Sequence, residues 1–323
     1  MHAGARLIGV CYGTVADNLP SPKDVINLYK KNQIEMMRLY EPSPPILEAL
    51  RGSRILVSLG IKNQDLATLS SSQEEANAWV QTNVAPYKGD VDFVWITAGN
   101  EVIPGPLAQY VPGTINNIHN ALVAIGLGRI GVTTVVAVTA LGTSFPPSAG
   151  AFSPEVLDIM TQITTFLMPH QYPLMIDVYP YFAYASDPAH IPLDYALFKS
   201  TSPVVVDGKL NYYNLFDAMV DAFNAALEKI NMSDIYLSIS ERGWPSAGNG
   251  DDTSIENAKT YNTNLVNHVL ETGSPRKPHH RYNTFVFSMF NEDLKQPAGV
   301  EQHFGLFYPN MEPVYTIWHD EML

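Results

Sequence analysis

Cysteine is almost absent from this 323-residue chain, where Cys11 stands alone. One thiol excludes an internal disulfide and a cysteine-built metal site. Its place inside the apolar run LIGVCYG reads as a buried, inert thiol. Basic residues are scarce too, with 19 Lys and Arg against 32 Asp and Glu and a formal charge of -13. That balance argues against nucleic acid and against an anionic membrane as partner, since both need a basic footprint. A neutral or cationic ligand fits it. No apolar stretch reaches the roughly 20 residues of a membrane span. MHAGAR runs straight into LIGVCYG without a signal-peptide pattern, so the chain reads as intracellular or as a mature form with an added start. Missing as well are a GxGxxG opening the first helix, a GxxxxGK[ST] phosphate loop and a GxSxG elbow.

What the chain does have is apolar bulk, 46% hydrophobic against 16% charged residues, enough for a large core without disulfide staples. The apolar residues alternate between short runs and longer segments of helical spacing. The runs are LIGVCYG (7–13), EMMRLYE (35–41), RILVSLGI (54–61), FVWITAGNE (93–101), GVTTVVAVTAL (131–141), LMIDVYPY (174–181), DIYLSISE (234–241) and NTFVFSMFNE (283–292). Buried parallel strands read as such near-continuous apolar stretches. Helix starts lie between them: Ser21-Pro22, the capping box Ser72–Glu75, Ser153-Pro154, the segment NLFDAMVDAFNAALEKI, and a capping box from Thr253 to Glu256. Eight strand–helix units without a composition break predict one (β/α)8 barrel over residues 1–323, in preference to a doubly wound sheet. The longest gap between strands, about 183–233, predicts a small excursion around the sixth unit.

In such barrels the chemistry sits at the C-terminal ends of the strands. The residues there are Tyr12 and Gly13, Tyr40 and Glu41, Gly60, Asn100 and Glu101, Thr139, Tyr179 with Tyr181 and Phe182, Glu241, and Asn291 with Glu292. No Lys offers Schiff-base chemistry. The one His pair, His279-His280, falls in PRKPHHR and reads as a solvated turn. Carboxylates among aromatic rings remain, a combination that suits glycoside hydrolysis: one carboxylic acid protonates the leaving oxygen while a carboxylate attacks the anomeric carbon. Glu241 taken alone reads equally well as a surface residue paired with Arg242. Strand alternation, however, turns Arg242 away from Glu241 and toward the helix layer. Trp244 is placed to pack beside the carboxylate or against sugar.

IGVCYG, MRLYEP, ITAGNEV, DVYPYF, SERGWPSAG, FSMFNEDLK and EQHFGLFYPN occur in that order, over about residues 7–316. Together they closely resemble the plant endo-β-1,3-glucanases of glycoside hydrolase family 17. The resemblance implies a (β/α)8 barrel and a retaining double displacement on a β-1,3-glucan such as callose or fungal wall glucan. Glu241 of SERGWP would be the nucleophile and Glu101 of GNE the acid/base, with Asn100 binding the sugar 2-hydroxyl. Tyr179 would hold the nucleophile, and Phe182 would face the sugar. Tyr40, Glu292, Lys295 and Phe304 complete the substrate-binding set. Glu292 also rivals Glu101 as the acid. Glu101 is preferred because the fourth and seventh strands face each other across the barrel mouth, and retaining chemistry needs carboxyls about 5–5.5 Å apart.

The resemblance implies no metal or organic cofactor, a monomer, and a secreted protein of the apoplast or cell wall, with the vacuole as the other destination. The sequon Asn231-Met232-Ser233 is compatible with that route. Three departures from the pattern stand out: Arg242 after the nucleophile, Glu41-Pro42 after MRLY, and ITAGNE. The readings that compete are a glucan-binding or allergen-type protein with little turnover, a β-1,3-glucan transglycosylase using the same intermediate, and a barrel enzyme with a phosphate substrate.

Overall fold

Eight of the apolar runs become parallel strands that close on themselves. The computed structural model describes residues 8–317, so Leu7 of the first predicted run lies outside the described residues. In chain order the strands are β1 (Ile8–Tyr12), β2 (Met36–Leu39), β3 (Leu56–Ile61), β4 (Asp92–Asn100), β5 (Gly131–Ala137), β6 (Leu141–Thr143), β7 (Ala151–Phe152), β8 (Leu174–Asp177), β9 (Val205–Asp207), β10 (Leu210–Tyr212), β11 (Leu237–Glu241) and β12 (Thr284–Val286). The closed barrel runs β1-β12-β11-β8-β5-β4-β3-β2, and every pairing in it is parallel. The predicted (β/α)8 architecture is therefore the observed one. β2, β8 and β11 are buried at every residue, as strands covered by helices on one side and by the barrel interior on the other must be.

Three predicted strands end well short of their apolar runs. The run 131–141 stops as a barrel strand at Ala137. A tight turn over Val138–Ala140 follows, and then β6, which pairs with β7 in a hairpin outside the barrel. The run 174–181 stops at Asp177, because Pro180 opens the helix Pro180–Ser186 and fixes its first turn. Of 283–292 only Thr284–Val286 is strand.

Helix starts follow side-chain chemistry. Ser21, Ser72 and Asn214 each accept a hydrogen bond from the backbone N–H three residues on and cap the helices Pro22–Lys31, Gln73–Asn83 and Leu215–Lys229. Two starts differ from expectation. The cap of the helix Ile255–Glu271 is Ser254, bonded by the Asn257 N–H. Thr253 instead accepts from the Asn249 N–H, which ties down the preceding loop. The helix expected at Ser153-Pro154 begins at Leu157, and its leading residue, Val156, makes no side-chain cap. The excursion after the sixth barrel strand comprises the helices Pro180–Ser186 and Leu193–Ala196 and the antiparallel hairpin of β9 and β10. Among the described residues no helix is long and apolar enough to cross a membrane.

Candidate active site

The polar residues buried in the strands gather at one end of the barrel. Arg38 on β2, Asp177 at the end of β8 and Glu241 at the end of β11 are all nearly inaccessible. Parallel register sets Glu241 beside Asp177 and Asp177 beside Ala137. Above them opens a groove of about 900 Å³, lined among others by Tyr40, Asn100, Glu101, Asp177, Tyr179, Phe182, Glu241, Glu292, Lys295 and Phe304. Each predicted site residue thus borders one cavity.

Glu241 is held from two sides. Arg38 Nη1 donates to Oε1 at 2.5 Å, and the Tyr179 hydroxyl donates to Oε2 at 2.8 Å. The second arm of the Arg38 fork, Nη2, donates to Asn100 Oδ1 at 2.5 Å. One planar guanidinium thereby sets the spacing between the seventh and fourth barrel strands, as the rigid geometry of arginine allows. The Tyr40 ring lies 4.5 Å from the Arg38 guanidinium carbon and covers it.

Glu101 is delivered by an unusual backbone. Gly99 has φ +88 and Glu101 itself has φ +53, a left-handed conformation uncommon for a residue with a side chain. Two anchors hold the chain there: Glu101 N–H bonds Val135 O at 3.0 Å, and Asn63 both accepts from Asn100 N–H (2.9 Å) and donates to Asn100 O (3.0 Å). Glu101 faces the open groove, yet protein crowds it. That desolvation, with the negative charge of Glu241 second, pushes its carboxyl above the usual glutamate range, against the pull of Arg38, Asp177 and Lys295. A carboxyl raised in this way keeps its proton where an ordinary glutamate has lost it, as a general acid requires.

Glu292 sits deeper. It is buried, accepts from Val15 N–H at 2.8 Å, and packs so closely on Gly13 that a Cβ there would collide with its carboxyl. Burial raises its pKa as well. Lys295 lies 4.4 Å over the Phe287 ring and 3.8 Å from Glu301. Phe304 is nearly buried and backs Tyr179 and Phe182, with ring centroids 5.8 and 6.1 Å away, while Phe182 is 40% exposed and presents its face to the groove.

The structure corrects the readings of Trp244 and His280 and adds to that of Arg242. Trp244 is wholly buried, packed edge-on or tilted against Tyr181, Tyr184 and Tyr261, with its Nε1 donating to Asp252 O at 2.8 Å. It is not among the residues that line the groove. Gly243 leads the chain into that packing, where any Cβ would strike Phe287 O. Arg242 turns away from Glu241 as alternation requires and lies near Tyr261 of the helix Ile255–Glu271, yet Nε, Nη1 and Nη2 find no hydrogen-bond partner among the described residues. Burial lowers its pKa to about 9. His280, expected in a solvated turn, is half-buried against Tyr236 and Tyr282. Sequence reasoning missed Arg38, Asn63 and Asp177. The one mark that Arg38 and Asp177 leave in the sequence is a lone charge inside an apolar strand run, which reads as an interruption of the strand. Among the described residues no group of three or more His, Cys, Asp or Glu is placed to hold a metal ion.

Comparison with known proteins agrees with this geometry. Residues 8–318 match the family described as glycosyl hydrolases family 17. A probable glucan endo-1,3-beta-glucosidase of Arabidopsis thaliana is 45% identical over 317 residues, covering 97% of this chain and 91% of that protein. Lichenase-2 of Hordeum vulgare is 45% identical over 310 residues, 96% of this chain and 97% of that one. The structure of CJP38, a beta-1,3-glucanase and allergen of Cryptomeria japonica pollen, superposes with a TM-score of 0.93 at 47% identity, covering 96% of this chain and 98% of that chain.

Proposed function

The chain belongs to glycosyl hydrolase family 17, and we propose that it is a retaining endo-hydrolase of β-1,3-glucan with Glu241 as nucleophile and Glu101 as general acid and base. The observation that carries this reading is the pairing of two unlike carboxyls at the groove floor. Glu241 accepts hydrogen bonds at both oxygens, from Arg38 and from Tyr179, which fix its orientation in the groove. Crowding by protein and the charge of Glu241 raise the Glu101 carboxyl, so it keeps its proton to higher pH than an ordinary glutamate.

In the first step Glu241 attacks the anomeric carbon, the glycosidic C–O bond breaks, and Glu101 gives its proton to the departing oxygen. Asn100, oriented by Arg38 and Asn63, is placed for the sugar 2-hydroxyl. In the second step Glu101, now ionised, takes a proton from water, whose oxygen attacks the same carbon and releases Glu241. The exposed Phe182 face and the Tyr179 and Tyr40 rings offer apolar surface to the C–H faces of sugar rings. The open groove suits the middle of a polymer. The enzyme acts as a monomer outside the cytosol, where such glucans lie. Asn231 is exposed at the turn after the helix Leu215–Lys229 and is open to glycosylation on that route.

The test is proton NMR of the sugars released from a linear β-1,3-glucan in the first minutes. The expected result is oligosaccharides born as the β-anomer from the wild type, with Glu241→Gln and Glu101→Gln nearly inactive. Early α-anomer would contradict retention; binding without product would point to a glucan-binding protein. The likeness to a lichenase favours one second reading, hydrolysis of mixed-linkage β-1,3-1,4-glucan. A kcat/KM higher on that polymer than on the linear β-1,3-glucan would establish it.

A further inference from the structure

Asp177 is the buried group that the two-carboxylate mechanism leaves without a task. It ends β8, it is 2% exposed, and neither oxygen accepts a hydrogen bond from an N–H or O–H group among the described residues. Arg38 is the nearest cation, yet its Nη1 stands 3.9 Å from Asp177 Oδ1, because that nitrogen serves Glu241 and Ser240 O while Nη2 serves Asn100. On the groove side its neighbour is another carboxyl, that of Glu101, which borders the same groove across β5 and interacts with it electrostatically. Two carboxyls can share a hydrogen bond only if one carries a proton. Both border the groove, but Glu101 is exposed to it while Asp177 is 2% exposed, so the charge is better tolerated on Glu101.

We propose that Asp177 is the positioning residue of the acid/base: a carboxyl held neutral beneath the groove that donates its hydrogen to Glu101 whenever Glu101 is ionised. This rests on the assignment of Glu101 made above. The groups facing Asp177 are Arg38 from β2, Glu241 from β11, Glu101 beyond β4, Cys11 from β1 and Tyr179 on its own segment. Burial pushes its pKa well above the usual carboxylate range, Glu241 and Glu101 add to that, and Arg38 opposes it.

The proton of Asp177 is never transferred. During glycosylation Glu101 loses its own proton to the leaving oxygen, and the Asp177 hydroxyl then steadies the new carboxylate. During deglycosylation Glu101 regains a proton from water. The net charge of the Arg38, Asp177, Glu101 and Glu241 cluster is the same before and after glycosylation, because Glu241 becomes a neutral ester as Glu101 becomes an anion. A buried cluster that keeps its charge avoids a desolvation penalty that would otherwise change along the reaction.

The sign of one pH shift decides the matter. A donor lost from ionised Glu101 raises the Glu101 pKa, whereas a negative charge lost from beside it lowers that pKa. Asp177→Ala should therefore move the alkaline limb of kcat/KM upward, by about half a unit or more, and lower kcat roughly tenfold or more. Asp177→Asn keeps a neutral donor of the same shape. Its limb should stay in place, and it should recover most of the rate that alanine loses. A downward shift of the limb in Asp177→Asn would mean that Asp177 is ionised in the wild type and would overturn the proposal; that variant decides even if alanine does not fold. Infrared with isotope-labelled aspartate should show a protonated carboxyl band in the wild type that is lost in Asp177→Asn, and no difference in that band between the two would also overturn it. Glu101→Ala runs alongside: full activity there would refute the reading of Glu101 itself, while an inactive Glu101→Ala with a downward shift in Asp177→Asn refutes only the proton assignment.

Discussion

The guanidinium of Arg38, on the second barrel strand, reaches the carboxylate of Glu241, on the seventh, at 2.5 Å, and its other arm holds Asn100 on the fourth at the same distance. The proposed nucleophile and the residue before the proposed acid are thus aligned by one rigid group that touches neither reacting bond.

Arg38→Lys should fold and bind glucan but lose the fork. A single ammonium cannot hold Glu241 and Asn100 in fixed relation, and misplacement by about 1 Å costs on the order of a hundredfold in rate. The expected result is a kcat lower by about that factor with KM changed little. Steady-state kinetics on a soluble β-1,3-glucan check it. An unchanged kcat would show that the fork is structural.

The proton on Glu101 depends partly on Glu241. Glu101 is raised by burial first and by the charge of Glu241 second, so its acid form survives above the ordinary glutamate range, and activity should fall as pH rises through that raised value. In Glu241→Gln one negative neighbour is gone, so a carbon-13 titration of the Glu101 carboxyl should move to lower pH. An upward shift would contradict the coupling.

Trp244 is a packing residue. It is wholly buried and its ring meets Tyr181, Tyr184 and Tyr261. Trp244→Ala should destabilise the fold by about 3–5 kcal/mol. Trp244→Phe, which keeps most of the packing, should leave KM unchanged. Denaturant midpoints and KM separate the two roles, and a raised KM in the phenylalanine variant would restore Trp244 to the sugar site.

Arg242 burdens the fold. Its charge is buried without a partner among the described residues, and burial lowers its pKa to about 9. The folded pKa lies below the unfolded one, so the penalty is full below about 9 and is relieved as pH rises above it. Arg242→Met should stabilise by about 1 kcal/mol or more near neutral pH, with a gain that shrinks in alkaline solution. A loss of stability in urea titration would show that Arg242 has an unseen partner.

The barrel was legible because a parallel strand buried on both sides leaves a continuous apolar run, and all eight runs contain a barrel strand. Glu241 and Glu101 were legible because each ends such a run. Arg38 and Asp177 were not, because they lie within MMRLY and LMIDV, where a charge reads as an interruption of a strand rather than as a residue aimed into the barrel. Trp244 was misjudged because a turn after Glu241 does not reveal in the sequence which way it leads, and here it carries the ring off the groove and in among Tyr181, Tyr184 and Tyr261. Thr253 and Ser254 are adjacent, and capping chemistry in the sequence suits either.

The most direct test of the central assignment is to trap the glycosyl-enzyme. The protein is incubated with a 2-deoxy-2-fluoro β-1,3-glucan donor bearing an activated leaving group, digested, and its labelled peptide sequenced by mass spectrometry. A covalent sugar on Glu241, in the peptide containing SERGWP, is the predicted result. A label on Glu101 or Glu292, or turnover with inversion and no covalent adduct, would contradict it.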